Sequence, residues 1–256
     1  MAGVFECSFT ELDVAGDALR LDVRQFPFVI PHRGATHDER IRLIETAHRD
    51  LRSRGLVRGA DFAPELKQAL DLFARGRVAV AMAGSAGRAP QHALAVTDDR
   101  AAVLAVGRGA AIRFELIDPL AMVRAVVGLL PPLRPGPGVT VTVTDDAAPA
   151  VSRRQADEDF AEATFTSSVR ASAGASGAQR QMAEEILRRP RLGGGYFTVT
   201  SRSRRGRESE PATMNWVDTD VGRYAVIPSV GRDGRMRVTY TPADQSQLTR
   251  LVDSLR

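Results

Sequence analysis

The chain has 256 residues, of which 43% are hydrophobic, and this is enough to build a globular core in one or two domains. Cys7 is the only cysteine, which excludes an internal disulfide framework and fits a reducing compartment. We find no basic-then-apolar leader and no run of about 18 apolar residues, so we expect a cytoplasmic protein without a membrane segment. The formal net charge is +4, but Lys67 is the only lysine, and we attribute the arginine bias to codon usage rather than to nucleic-acid binding.

In the first half of the chain, the clearest pattern is a helix that begins after Thr36. Thr36 and Glu39 form a capping box, apolar residues follow at helical spacing, and Gly55 ends the helix in a Schellman motif. The remaining pattern predicts strands at 5–9 and 26–30, short helices at 10–21 and 64–76, four hairpin strands at 78–82, 94–96, 103–106 and 112–116, and a helix from Pro119.

The second half repeats this order after a stiff break at 131–138. We expect a strand at 139–143 in the place of the 26–30 strand, helices at 153–172 and 177–189, strands at 196–200, 214–217, 224–227 and 236–240, and a helix opening at Thr241-Pro242. Trp216 is expected to pack in the core, with Tyr224 and Tyr240 on the same face of the sheet.

The two halves predict an internal duplication. Arg100 and Arg223, Phe114 and Val238, and Pro119 and Pro242 are separated by 123, 124 and 123 residues. Because strands and helices are grouped rather than alternating, the fold class is α+β. We expect one domain over residues 1–256, built from pseudo-repeats at about 1–135 and 136–256 that pack as a quasi-twofold unit around a central antiparallel sheet, with the helices outside in two groups.

Motifs for catalysis or cofactors are weak. Ser85 lies in Ala83-Gly84-Ser85-Ala86-Gly87, close to a nucleophile elbow, but a strand follows where the elbow needs a helix, so a hairpin tip is the better interpretation, even with His92 nearby. His37 and His48 are too far apart on one helix to share a metal. Gly107-Arg108-Gly109 lacks the third glycine of a dinucleotide fingerprint. We predict no catalytic residues, no metal and no cofactor.

Two arginine runs, at 188–191 and 202–207, offer an alternative as a nucleic-acid-binding module. Aromatic residues for base stacking are not interleaved with them, and Glu208 and Glu210 lie alongside. A solvated arm or a protein partner with an acidic patch explains these runs better.

Two separated motif blocks resemble the EspG family. The first runs from Phe26-Pro-Phe-Val-Ile-Pro through Gly34-Ala-Thr-x-x-Glu-Arg40 to Asp50-Leu-Arg-x-Arg-Gly-Leu56. The second runs from Trp216-Val-Asp-Thr-x-x-Gly-Arg-Tyr224 to Thr241-Pro-Ala-Asp-x-x-x-Leu248. The first predicted helix is shorter than expected for the family and lacks a tryptophan, and the hairpin at 84–91 is brief.

The resemblance implies a cytosolic, non-enzymatic chaperone of type VII (ESX) secretion with a quasi-twofold α+β fold. Its partner would be a PE–PPE heterodimer, bound through the PPE tip, with no nucleic acid and no membrane involved; a homodimer is left open. The contact set that we predict lies around the 84–91 hairpin and the entry to the C-terminal sheet: Ser85, Arg88, Gln91, Arg189, Arg191, Phe197 and Arg204.

Overall fold

A computed structural model describes residues 3–145, 177–203 and 209–256. Its centre is a ten-stranded antiparallel sheet with the strand order β1-β7-β6-β5-β4-β9-β10-β11-β12-β8. The strands are β1 Val4–Ser8, β4 Val78–Ala86, β5 Ala89–Thr97, β6 Ala102–Arg108, β7 Ala111–Ile117, β8 Val141–Asp145, β9 Arg191–Ser201, β10 Ala212–Thr219, β11 Gly222–Val230 and β12 Met236–Pro242. A separate small hairpin consists of β2 Val57–Arg58 and β3 Asp61–Phe62.

The strand order reads the same outward in both directions from the central β4–β9 pair. Thus β4, β5, β6, β7 and β1 of the first half correspond to β9, β10, β11, β12 and β8 of the second, which is the quasi-twofold arrangement expected for a duplicated α+β chain. The partner of β8 in this symmetry is β1, so the expected equivalence of the 139–143 strand with residues 26–30 is wrong.

Residue equivalence also differs from the constant offset that we expected. Thr97 pairs with Ala102 at the β5–β6 turn, and Asp218 pairs with Arg223 at the β10–β11 turn. These two pairs occupy corresponding places, so Arg223 matches Ala102 rather than Arg100. The register of the outer strands likewise matches Phe114 to Tyr240, and insertions between the strands explain the changing offset.

The helices are α1 Phe9–Leu19, α2 His37–Ser53, α3 Pro64–Arg75, α4 Met122–Val127, α5 Gly177–Arg188 and α6 Gln245–Asp253. The predicted boundaries of α2 are confirmed: Thr36 and Glu39 close the capping box. Gly55 has φ +73° and Leu56 N–H donates to the Leu51 carbonyl at 2.9 Å. Ser8 caps α1, again through a capping box, so this helix begins at Phe9, one residue before the predicted start. The predicted helix at 153–172 lies outside the described residues.

Helices cover both faces of the sheet. On the front face, α1, α2 and α3 pack on the first half through a core that includes Leu12, Leu51, Phe73 and Phe114. On the same face of the second half, α5 packs on β8 and β10–β12. On the back face, α4 and α6 lie together over the middle of the sheet. The front face therefore has helices at its two sides, and the back face has helices at its centre.

Trp216 is fully buried in the back core, which confirms its predicted packing role. Its ring centroid lies 4.9 Å from that of Phe197, and it rests on the cross-strand pair Gly84 and Gly195, where a Cβ on either glycine would come within 3 Å of the indole. Tyr224 and Tyr240 pack instead in the front core against α5. Because Trp216 pairs with Ala225, the neighbouring Tyr224 points to the other face, so the expectation of one shared face is wrong.

Two predicted boundaries are corrected. Residues 26–30 form a turn and extended chain rather than a strand, because Pro27 has no N–H to offer a ladder and Phe28 N–H donates to the Gln25 carbonyl at 2.9 Å. At the end of the chain, β12 continues to Pro242 and α6 begins at Gln245, where Asp244 accepts the Gln247 N–H.

Candidate partner-binding surface

The middle of the front face carries only small side chains on β4. Residues 79, 81 and 83 are alanine and residue 85 is serine, and the neighbouring β9 contributes Gly194 opposite Ser85. Alternate residues of a strand share a face, so these positions form one strip between the α1–α3 group and α5. Among the described residues, helices lie at both sides of this strip, which therefore forms the floor of a groove.

At one end the groove deepens into a depression of ≈ 400 Å³ lined by Ala83, Gly84, Ser85, Gly87, His92, Arg191, Gly193, Gly194, Gly195 and Tyr196. The adjoining β4–β5 turn is docked on β9, because Gly87 N–H donates to the Leu192 carbonyl at 2.6 Å. The base is therefore built from alanine side chains and glycine backbone, and the polar and aromatic side chains lie around it.

An aromatic pair borders the depression. Phe26 stacks on Tyr196 with ring centroids 6.1 Å apart and an interplanar angle of 21°. Phe26 is nevertheless 53% exposed, and nearby in the chain Val29 is 85% exposed. Exposed aromatic and aliphatic groups beside a groove are typical of surfaces that bind another protein.

The segment that carries Phe26 is held by one buried carboxylate. Asp13 of α1 has a fully buried side chain and accepts from Arg24 at 2.7 Å, from Arg40 at 2.5 Å, and from the backbone N–H of Arg33; His32 Nδ1 lies 3.1 Å away. Burial alone would raise the pKa of Asp13, but the hydrogen bonds from Arg40 and His32 outweigh it and hold the pKa below its ordinary value. These contacts fix the loop that presents Phe26 beside the groove.

The structure places the predicted contact residues unequally. Ser85 and Arg191 both line the depression, and Arg88 is exposed in the adjoining turn. Gln91 pairs with Gly84 across β4 and β5, which puts its side chain on the back face. Arg189 follows α5 and forms ion pairs with Glu185 at 2.8 Å and Asp220 at 3.9 Å.

Phe197 does not belong to the surface. It is 0% exposed and packs on Trp216 in the back core, one residue away from the front-facing Tyr196, so we remove it from the contact set. Arg204 lies outside the described residues. Sequence reasoning missed Phe26, His92 and Tyr196 as bordering groups. The glycine run at 193–195, opposite the small residues of β4, was the signal that this strip of the sheet would lack large side chains.

The geometry gives no support to an activated serine. Ser85 and His92 both line the depression, but no hydrogen bond joins them in the described part of the chain. Across residues 3–145, 177–203 and 209–256 there is likewise no cluster of three or more metal-ligating side chains. Within the same residues, no helix is long and apolar enough to cross a membrane.

The first arginine run is partly neutralised. Arg188 pairs with Glu184 at 3.2 Å and Arg189 with Glu185 at 2.8 Å, which leaves little free positive charge for a phosphate backbone. Residues 204–207 of the second run lie outside the described part of the chain. The front groove, rather than an arginine arm, is thus the best-formed candidate surface.

Comparison with known proteins decides the family. The sequence model of the EspG family matches residues 8–254. The chain belongs to the EspG family. No curated protein matches it. Among solved structures, this EspG chain is similar to the Mycobacterium tuberculosis type VII secretion system chaperone EspG5, solved in complex with the PE25–PPE41 dimer. The TM-score is 0.65 at 13% identity, covering 99% of this chain and 95% of that one. At this identity the likeness establishes a shared fold.

Proposed function

We propose that the protein is a cytoplasmic chaperone of type VII secretion that binds a PE–PPE heterodimer through the tip of its PPE subunit. The observation that carries the proposal is the EspG family match over residues 8–254. The structural likeness to EspG5, which was solved with a PE25–PPE41 dimer bound, supports it over nearly the whole length of both chains. The chaperone would keep its cargo soluble and direct it to the matching secretion system.

The front groove supports this function because its chemistry suits an apolar, helical tip. Its base of alanine side chains and glycine backbone can admit a helix closely, and Phe26 and Tyr196 offer aromatic contacts at the edge. A stable protein complex buries roughly 1,200–2,000 Å² in total, which is more than the depression alone supplies. The interface would therefore extend from the depression across Phe26 to Arg88, Arg189 and Arg191.

Holding a cargo needs no reacting group. The free energy of binding comes from covering apolar surface of the cargo, about 25 cal/mol per Å² before the entropic costs of association are subtracted. A few anchors at the centre of the interface should dominate this affinity. Tyr196, which stands between the depression and Phe26, is the side chain best placed to be such an anchor.

The first test is co-expression of the chain with each PE–PPE pair encoded in the same genome, followed by size-exclusion chromatography. We expect one or more pairs to co-elute with the chain at 1:1:1 stoichiometry. Failure of every pair to co-elute would count against the proposal.

The second test asks whether the PE–PPE cargo contacts the front groove. Ser85→Arg, which fills the depression, and Arg191→Glu, which reverses charge at its edge, should each weaken cargo binding by about tenfold or more. Arg250→Glu is the matched control, because Arg250 is exposed on α6, which covers the opposite face of the sheet. Isothermal titration with the purified PE–PPE pair gives the three affinities. A loss of affinity in Arg250→Glu as large as that in Arg191→Glu would show that net charge, and not the groove, determines binding.

A further inference from the structure

Helix α2 carries an apolar row, formed by Ile41 and Ile44 with His37 and His48 at its ends, in which His48 packs beside Phe62 with ring centroids 6.1 Å apart. Only Ala47 and Leu51 of this helix are buried. Ile41 and Ile44, which lie between His37 and His48 on the adjoining stripe, are 41% and 40% exposed. The spacing of His37, Ile41, Ile44 and His48 is four, three, four, so these side chains form one line along the helix.

The helix that carries this row is firmly held. Its first turn is closed by the capping box of Thr36 and Glu39. Arg40 bonds to the buried Asp13 at 2.5 Å and also pairs with Asp17, both on α1. The exposed isoleucines therefore belong to an ordered helix, and the described residues leave them partly open to solvent.

A row of alternating charge runs beside the apolar row. Asp38, Arg42, Glu45 and Arg49 each follow a member of the apolar row by one position and are all exposed. Within residues 3–145, 177–203 and 209–256, none of these four side chains forms an ion pair or hydrogen bond. Elsewhere in the same ranges, opposite charges on one helix do pair, as between Asp71 and Arg75 at 3.0 Å.

The charge row is self-complementary when it is reversed. From its N-terminal end it reads minus, plus, minus, plus, and an antiparallel copy reads plus, minus, plus, minus. Asp38 then lies beside Arg49 of the second copy, and Arg42 beside Glu45 of the second copy. The same reversal sets Ile41 of one copy against Ile44 of the other, because the apolar row has the same symmetric spacing. Each contact occurs twice about the twofold axis.

We propose that α2 is a self-association surface at which a second copy of this chain docks antiparallel, with the two isoleucines of each copy in the seam and the four charged residues of each copy at its edge. One pair of helices buries less area than a standard interface, so the dimer is weak and reversible. This surface is built from α2 alone and does not depend on the function proposed for the front groove.

The experiment is sedimentation velocity on the full chain over about 1–500 µM, a range that covers weak dimers. We expect wild-type protein to shift reversibly from monomer to dimer. Ile44→Glu should remove the dimer. Arg42→Glu sets two like-charged pairs at the edge of the seam and should raise the dissociation constant by about tenfold. Thermal unfolding followed by circular dichroism checks that each variant is folded, since all these positions are exposed.

A charge exchange makes the test specific for the antiparallel pairing. Arg42→Glu/Glu45→Arg restores opposite charges and should recover the wild-type dissociation constant. Glu45→Arg alone should dimerise as poorly as Arg42→Glu, whereas a mixture of these two single variants should form a heterodimer.

Three results would overturn the proposal. The first is a wild-type chain that stays monomeric at the highest concentration. The second is a dimer that Ile44→Glu and Arg42→Glu leave unchanged, or one that the charge exchange does not restore. The third is a monomeric chain in which Ile44→Glu abolishes co-elution with a PE–PPE pair, because the α2 face would then belong to the cargo.

Discussion

The β5–β6 and β10–β11 hairpins occupy corresponding places in the two halves of the sheet, and a threonine hydroxyl donates across each turn, but the cross-strand pairs beside the turns differ. In the first half, Thr97 faces Ala102, and the Thr97 hydroxyl donates to the Ala101 carbonyl at 2.7 Å within its own turn. In the second half, Asp218 faces Arg223, and two hydrogen bonds of 2.5 and 2.8 Å join the carboxylate to the guanidinium. Arg223 is 0% exposed, so a small pair has been replaced by a buried ion pair.

The difference follows from where the chain crosses between the halves. The segment 131–138 is rich in proline and passes over the β10–β11 turn. The Arg223 side chain donates to the Pro131 carbonyl at 3.0 Å, its backbone N–H donates to the Arg134 carbonyl at 2.9 Å, and Gly136 N–H donates back to the Arg223 carbonyl at 2.9 Å. An irregular segment has no ladder of its own, so its backbone groups need partners from elsewhere. In the second half, Arg223 supplies hydrogen-bond partners for the backbone of segment 131–138.

In the first half, a buried carboxylate likewise binds an irregular segment. Residues 20–36 are also irregular, and the buried carboxylate of Asp13 gathers Arg24, His32, the backbone of Arg33 and Arg40. In both halves, a buried carboxylate (Asp13 or Asp218) thus takes part in holding a long connection. The sheet is therefore similar in the two halves, and the halves differ where the sheet binds connecting segments that have no counterpart in the other half.

Removing Arg223 should produce the largest effect on stability. Arg223→Ala leaves Asp218 buried without a partner and frees the crossover segment, so we expect a loss of about 3–5 kcal/mol in the free energy of unfolding. Urea unfolding monitored by the fluorescence of Trp216, which lies two residues before Asp218, measures it.

A double variant sharpens the comparison. Asp218→Thr/Arg223→Ala copies the Thr97–Ala102 pair of the first half and removes the uncompensated charge. It should be more stable than Arg223→Ala by at least ~1 kcal/mol, because the two effects are coupled. Equal stability of the two variants would mean that the crossover contacts, and not the buried charge, carry the difference between the halves.

Asp13→Asn should have the second-largest effect, lowering the free energy of unfolding by about 2–3 kcal/mol at neutral pH. We expect less than for Arg223→Ala because Arg24 and Arg40 keep some contact with water. The pKa of Asp13 is lower in the folded chain than its ordinary value, so its contribution is fully present above the unfolded pKa of about 3.9. It is lost as the pH falls through the folded pKa. Urea unfolding should therefore show the gap between wild type and variant closing below about pH 4. A gap that stays constant with pH would contradict an ionic role for Asp13.

The sequence pattern was sufficient where local chemistry decides the structure. The caps of α2, the antiparallel strand order and the duplication follow from capping residues, alternation and turn signals. The residue equivalences were wrong because the connections differ in length between strands, which a single offset cannot describe. The predicted strand at 26–30 was wrong because this apolar run is buried as irregular chain, with Phe28 and Ile30 pointing into the core.

Sequence patterns predicted only part of the candidate surface. Ser85 and Arg191 line the same depression because β4 pairs with β9, and their role as cargo contacts stays a prediction. The stacking of Phe26 on Tyr196 joins chain segments 170 positions apart, and no periodicity encodes it. Phe197 was assigned to the wrong face because alternation gives two faces but does not tell which of them the helices cover.

Tyr224→Phe should give the smallest effect and isolates one contact of the crossover. The Tyr224 hydroxyl donates to the Pro137 carbonyl at 2.9 Å, whereas Val103, at the corresponding place in the first half, has no hydroxyl and packs among apolar side chains. Removing the hydroxyl leaves the buried ring in place, so the free energy of unfolding measured with urea should fall by about 1 kcal/mol. Val103→Thr, which adds a hydroxyl to the apolar first-half core, is the informative companion: a hydroxyl there has no crossing carbonyl to meet and should destabilise the chain. If both changes were neutral, the polar contacts of the crossover would contribute nothing net, and the asymmetry between the halves would reduce to the Asp218–Arg223 pair.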